Sequence, residues 1–277
     1  MVKVGKIIWR ILAFCFLTLL TQVGGVVYLV SLVTFIYIDK LTKRNIVKLI
    51  YQFSSFSILY CISTFFIIPT IAKQFGRVPL PLTSTHQIRP LNVMTFLLNR
   101  NYVVLELRKT VFEVAEQMES RFPGTKLNYL DANFPFMNGF PLFPHLSHND
   151  GRKLDLSFCY NDANTGNQTN DCPSFIGYGI CEEPLKNELN TAEYCQEKGK
   201  WQYSFLMKTM PQGNKKNFIF NKEKTKELIN FFVAQPTIGR LFIEPHLKTR
   251  LKLKSEKIKF HGCHAVRHDD HIHIQMN

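Results

Sequence analysis

Hydrophobic and polar positions divide this chain near residue 72. Two runs, Ile11 to Ile38 and Leu49 to Ala72, contain no charged residue. A hydrocarbon core of about 30 Å takes about 20 apolar residues in a helix. Each run is therefore long enough to cross a bilayer, the first by tilting, by bending at Gly24-Gly25, or by beginning late. Neither reads as a cleavable signal, because the first run is too long for an h-region and no small-x-small site follows a short one. The pattern predicts a membrane anchor of two transmembrane helices over residues 1–72. Two spans put the N-terminus and the body on one side. Lys40, Lys43, Arg44 and Lys48 lie between the runs, and Lys3, Lys6, Arg10, Lys73 and Arg77 flank them. That spread is too even for the positive-inside rule to orient two spans.

Residues 73–104 read as a connector, with Pro79, Pro81 and Pro90 discouraging regular structure. The body, 105–277, begins with Val111, Phe112, Val114, Ala115 and Met118 at helical spacing, a helix that Pro123-Gly124 ends. Residues 131–147, rich in Pro, Phe, Asn and Gly, read as loop. Leu154 to Phe158 alternates apolar and polar and reads as a strand. Residues 160–200 form a long irregular insertion, and Gln202–Lys208 reads as a strand. Asn221 is a candidate N-cap for a helix through Val233, ended by Pro236. A short strand at Leu241–Ile243, a short helix after Pro245, and strands at Lys257–Phe260 and His271–Gln275 complete the series. Strands and helices without strict βαβ order predict an α+β fold, an antiparallel sheet with flanking helices.

Composition narrows the possible partners. With 45% hydrophobic and 20% charged residues, the 277-residue chain is neither disordered nor low-complexity. Its 34 basic and 21 acidic side chains leave a formal charge of +13, which favours lipid headgroups, nucleic acid or acidic wall polymers. There is no helix-turn-helix, RNP-type strand or zinc-finger spacing, so no nucleic-acid partner is expected. A lipid bilayer is expected. Cys15 and Cys61 lie in the apolar runs. Cys159, Cys172, Cys181, Cys195 and Cys263 allow one or two disulfides outside the cytoplasm, with connectivity open.

The chemistry lies in the histidines. Seven of the nine fall in two stretches, one from His145 to Asp155 and one from His261 to His273. On a strand, His271, His273 and Gln275 share one face while Ile272 and Ile274 share the other. The two imidazoles stand about 7 Å apart along the strand, so one can bind a metal while the other reaches the metal's water. Asp155 and Ser157 share a face opposite Leu154, Leu156 and Phe158. His148 precedes that strand by a loop that Gly151 can turn sharply, so His148 and Asp155 can converge on one ion. Two histidines and a carboxylate form a catalytic zinc set with an open fourth position. Water bound there has a pKa near ~7 and can attack a carbonyl. The same donors also suit iron(II) or manganese. Asp269 and Asp270 are candidate orienting acceptors or an ordinary turn, and His246, His261 and His264 read as structural or solvated.

His-x-x-His-x-x-Gly-x-x-x-Asp at 145–155, with His-x-x-His-x-His at 268–273, resembles the penicillin-insensitive murein endopeptidases of the D-Ala-D-Ala metallopeptidase superfamily. Pro123-Gly124 followed by Asp131, and Leu241-Phe242-Ile243-Glu244-Pro245-His246-Leu247-Lys248, add to the resemblance, which covers about 105–277. It implies a small antiparallel sheet flanked by helices. It implies that His148, Asp155 and His273 ligate Zn2+, that His271 is the general base, and that His268 helps hold the developing oxyanion. His145 matches a further family histidine near the metal, with an auxiliary-metal or supporting role. The implied activity is zinc-dependent cleavage of peptide crosslinks in peptidoglycan, carried out by a membrane protein on the extracytoplasmic side. A non-catalytic, membrane-tethered zinc domain that binds wall or protein partners is the alternative. The chain departs from the family pattern in its membrane anchor, in the cysteine-containing insertion, and in Arg152-Lys153.

Overall fold

The computed structural model describes residues 2–84 and 86–277. Its N-terminal part contains three helices long and apolar enough to cross a membrane, not two. They are α1 (Val2–Thr21), α2 (Gly24–Leu41) and α3 (Asn45–Ile62). The run expected as one span is broken at Gln22, whose φ of 66° lies in the left-handed region. Gly24 and Gly25 then let α2 fold back on α1. A Cβ on Gly24 would lie 2.7 Å from Thr21 Oγ1, and one on Gly25 would lie 2.0 Å from Thr18 Oγ1. Small residues allow this close approach. The third helix runs on through a π-helical turn, Ser63–Ile67, into α4 (Ile68–Ala72). Pro69 has no N–H to give the preceding turn, and the wider π turn absorbs that missing bond.

The anchor and the body touch at one end of the helices. The Phe136 N–H donates to Gln22 Oε1 at 2.9 Å. Val23, Ile68, Ala72 and Tyr102 form a small buried cluster there. A groove along the helices is lined by Lys6, Arg10, Asp39 and Lys48 toward the opposite end and by Leu17, Tyr28 and Phe56 nearer the body.

The body begins earlier than its prolines suggest. β1 (Arg77–Pro79) pairs antiparallel with β3 (Tyr102–Val104), and β2 (Ile88–Pro90) and α5 (Val93–Leu97) lie between them. There follow α6 (Leu105–Arg121), β4 (Leu127–Tyr129), β5 (Lys153–Ser157), β6 (Tyr160–Asp162) and β7 (Gln168–Thr169). Next come α7 (Thr191–Glu197), α8 (Phe205–Thr209), β8 (Phe218–Phe220), α9 (Lys222–Ala234) and β9 (Ile238–Phe242). The series closes with α10 (Pro245–Arg250), β10 (Ile258–Lys259) and β11 (His271–Met276). Asn221 caps α9 as expected, its side chain accepting from the Lys224 N–H at 2.9 Å. The stretch Gln202–Lys208, expected as a strand, is helical instead. Tyr203 is buried with its hydroxyl on Glu244, while Phe205 faces out, so the period of two that a strand needs is absent.

The main sheet has the order β10–β9–β11–β5–β4–β2. Its centre is antiparallel as expected, but both outer pairs, β10–β9 and β4–β2, are parallel. The edge strand β2 comes from the stretch expected as a connector, where the prolines sit at or beyond strand ends. Ile272 and Ile274 of β11, Leu154 and Leu156 of β5 and Leu241 of β9 are buried in one core with Val111, Val114 and Met118 of α6 and Leu228 and Phe232 of α9. Alternation leaves Asp155, His271 and His273 on the opposite face, and this face carries the site.

Candidate metal centre

Two central strands and one loop build the cluster. In the β11–β5 register, His273 lies directly opposite Asp155 and His271 opposite Ser157. The third member, His148, arrives on the loop before β5. Gly151 turns that loop at φ 80°, and its N–H donates to Asn133 Oδ1 at 3.0 Å. The loop is pinned further by Arg77, which is 1% exposed. Its guanidinium donates to Phe134 O, Asn138 Oδ1 and Asn149 O.

Three donor atoms meet in a triangle. Asp155 Oδ1 is 2.9 Å from His273 Nδ1 and 3.3 Å from His148 Nε2. The two imidazole nitrogens are 3.1 Å apart. A tetrahedral ion with bonds of about 2.0–2.1 Å spaces its ligands by about 3.3 Å. His148, Asp155 and His273 thus form a buried group that can hold a metal ion, and no other such group occurs among the described residues. The groups behind the triangle fix its orientation. His148 Nδ1–H donates to Ala132 O at 2.6 Å, which leaves Nε2 as a lone pair. Tyr178 Oη donates to Asp155 Oδ2 at 2.9 Å, which leaves Oδ1 for the triangle. Asp155 Oδ1 itself is buried and has no hydrogen-bond partner. A buried carboxylate oxygen without a hydrogen-bond partner, facing two imidazole nitrogens, is what a cation satisfies.

The electrostatics favour positive charge beside Asp155, which a proton on His148 or a metal ion would supply. Burial works against ionised Asp155, but His148 and His271 outweigh it and hold the carboxyl well below its usual range. Burial likewise opposes charge on His148, and Asp155 overcomes it and raises the pKa. Burial dominates at His273 and pushes it down to about 3.

The remaining predicted residues surround this triangle. His271 Nδ1–H donates to Asp270 Oδ1, and Asp270 Oδ2 accepts from the Gly179 N–H at 2.5 Å. His271 Nε2 is buried without a partner and lies 3.7 Å from Asp155 Oδ2. Burial pulls this imidazole down, but Asp155 and Asp270 outweigh it and push it up to about 9. His268 packs beside it with rings 4.9 Å apart. Burial first, and the neighbouring histidines next, hold His268 well below its ordinary value. His145 is not in the triangle. Its Nδ1 lies 3.1 Å from Asp131 Oδ2 and 3.6 Å from Asp155 Oδ2, and its buried Nε2 has no partner. Asp270 is an orienting acceptor, whereas Asp269 is taken up by Arg267. His246 is structural, bonded to Glu182 O at 2.8 Å. His261 stacks on Phe242 at 4.3 Å. A cavity of about 400 Å³ opens over the group, lined by His145, His148, His261, His268, His271 and His273.

Sequence reasoning missed Tyr178 and Arg77. Tyr178 lies in the insertion that had no readable pattern, and Arg77 counted only as a basic residue after the membrane. The cations Arg152 and Lys153 are occupied by Asn277 O and Asp150. Cys195 and Cys263 form a disulfide with Cα atoms 5.3 Å apart, which ties α7 to the loop that carries His261 and His264.

No family model matches this chain. No curated protein is significantly similar to it.

Proposed function

We propose that this protein is a membrane-anchored zinc peptidase that hydrolyses amide bonds in peptidoglycan peptides on the extracytoplasmic side. The observation that carries the reading is the triangle of His148 Nε2, Asp155 Oδ1 and His273 Nδ1, with His271 Nε2 unpartnered beside it. Two imidazoles and a carboxylate with an open side suit zinc. Bound there, the ion supplies Lewis acidity and a lowered water pKa. The protein's own groups then have distinct tasks. Asp270 fixes the tautomer and direction of His271, whose Nε2 faces the cavity and can take a proton from water. The raised pKa of His271 owes much to Asp155, so engagement of that carboxylate would return the imidazole toward its basic, neutral form. His268, kept neutral, is placed to donate to an oxygen that gains charge. The likeness of the two histidine motifs to the murein endopeptidases supplies the substrate class, and the charge of +13 suits anionic wall polymers.

Two observations support the extracytoplasmic side. With three helices and Gln22 at the body's end, Lys6, Lys40, Lys43, Arg44 and Lys48 gather toward the far end. By the positive-inside rule this clustering supports a cytoplasmic far end. The disulfide Cys195–Cys263 suits an oxidising compartment.

The test is incubation of the full chain, purified in detergent, with crosslinked muropeptides, with zinc and after chelation, read by mass spectrometry. Zinc-dependent amide cleavage is the expected result. A zinc-loaded protein that leaves every amide intact overturns the reading.

A further inference from the structure

A second cavity, of about 250 Å³, adjoins the first, and Pro144 and His145 line both. Its inner end carries Asp131, His145 and Tyr178, and Tyr178 touches the Asp155 carboxylate. The rest of its wall is mainly apolar, including Met94, Leu98, Leu130, Ile176 and Leu206. Nothing in the peptidase reading uses this space. A hydrophilic peptide alone does not call for such a lining, since apolar surface is matched best by apolar surface.

The position of α5 shows which apolar material can reach it. Met94, Thr95 and Leu98 face the cavity, while the same short helix rests on the anchor. Tyr60 Oη donates to Leu97 O at 2.7 Å, Asn99 Nδ2 donates to Tyr60 Oη at 2.9 Å, and the Phe65 and Phe96 rings lie 6.0 Å apart. If the uncharged run from Leu49 to Ala72 crosses the hydrocarbon as one continuous helix, as its length allows, the near membrane surface lies close to Ala72 and Gln22. Ile68 and Ala72 are at that level, because they pack with Val23. Phe65 and Tyr60 are one to two turns deeper. The α5 wall is therefore drawn down to the bilayer, and Val93 and Met94 are exposed on it.

We infer that this α5-walled cavity receives the apolar chain of a lipid-anchored substrate, so that its amide-bearing head reaches His148, Asp155 and His273 while its tail stays in or beside the bilayer. The inference rests on the peptidase reading for the head group, and on α5 and the cavity alone for the tail. The peptide is thus presented by the membrane on which the enzyme stands. Arg100, paired with Asp131 at 3.1 Å, marks where the lining changes from apolar to charged.

The test uses the full chain in lipid nanodiscs doped with a phospholipid that carries a diazirine in its acyl chain. After irradiation, adducts are mapped by mass spectrometry. Adducts are expected on α5 and on Ile176 or Leu206, and Leu98→Trp or Met94→Trp should reduce those at Ile176 and Leu206 several-fold. Zinc uptake by each variant reports that it folds. A muropeptide bearing an acyl chain should compete with the label, and the same muropeptide without the chain should not. Adducts confined to residues 1–75, or equal competition by the chain-free peptide, overturn the inference. Loss of amide cleavage with labelling intact instead overturns the peptidase reading and leaves the tail site standing.

Discussion

His273 and Asp155 face each other across the central antiparallel pair, with Nδ1 and Oδ1 2.9 Å apart. Directly opposed residues in such a pair have their Cβ atoms within about 5.5 Å. The two side chains are therefore brought together by strand pairing itself, and only His148 depends on a loop. Asp155→Asn removes the charge but keeps the shape. Zinc content measured on the purified variant should fall below that of the parent protein, and His273→Ala should do the same. Full metal occupancy in both variants would show that the ion sits elsewhere.

Tyr178→Phe deletes one hydroxyl that holds Asp155 Oδ2 and accepts from the Asp131 N–H at 3.0 Å. Loss of an orienting partner behind a ligand weakens metal binding by about 10- to 100-fold. A competition titration against a zinc chelator measures it. An unchanged affinity would mean that the carboxylate orients itself without help.

On the proposed reading, ion uptake should depend on pH in a definite direction. Zinc must displace any proton on His148, and the Asp155 field raises that imidazole above its usual pKa of about 6.5. The apparent affinity should therefore decline as pH falls from the neutral range, beginning above pH 6.5. His273, pushed down to about 3, contributes little to this slope. Zinc titrations at several pH values read it directly, and a flat profile from pH 8 to 6 contradicts the assignment of His148 as a ligand.

Arg77→Leu removes a buried cation that holds three acceptors of the loop bearing His145 and His148. Hydrogen bonds to a charged donor are each worth about 1.5–3 kcal/mol, so thermal unfolding should shift down markedly and zinc affinity should fall with it. Gly151→Ala acts on the same loop, at a left-handed φ that costs other residues about 1–2 kcal/mol. A variant of either kind with parental melting and zinc uptake would show that the loop is held by other contacts.

Breaking the disulfide, by Cys195→Ser with Cys263→Ser, should lower stability by about 2–4 kcal/mol. It also frees the cavity rim at His261 and His264. Melting with and without a dithiol reductant separates the parent from the double variant, because only the parent should respond.

Strand alternation made the shared face of His271, His273 and Asp155 legible in the sequence, while the choice of His148, Asp155 and His273 as the ligand set came from the resemblance to the murein endopeptidases. Ile272 and Ile274 had to be inside, so His271 and His273 had to face the site, and Leu154 and Leu156 set Asp155 in the same way. Gly151 marked the turn, and Asn221 marked the start of α9. The anchor was misread because an uncharged run gives no sign of where a helix folds back. The break depends on Gln22 adopting a left-handed backbone and on Thr18 and Thr21 facing two glycines, which hydropathy does not register. The parallel edge strands escaped for another reason. Ile88–Pro90 is short and proline-bounded, and it becomes a strand only because β4 offers it a partner. Tyr178 stands in irregular chain, where no periodicity announces which side chain turns inward.

The strand carrying His271 and His273 lies between β9 and β5, and its ring nitrogen meets that of a residue 125 positions earlier. Nearly the whole body must therefore be synthesised, and the central strand inserted between two earlier ones, before the three donor atoms meet. The cluster is thus a late product of folding, completed by a contact of long sequence separation, the kind that forms slowly.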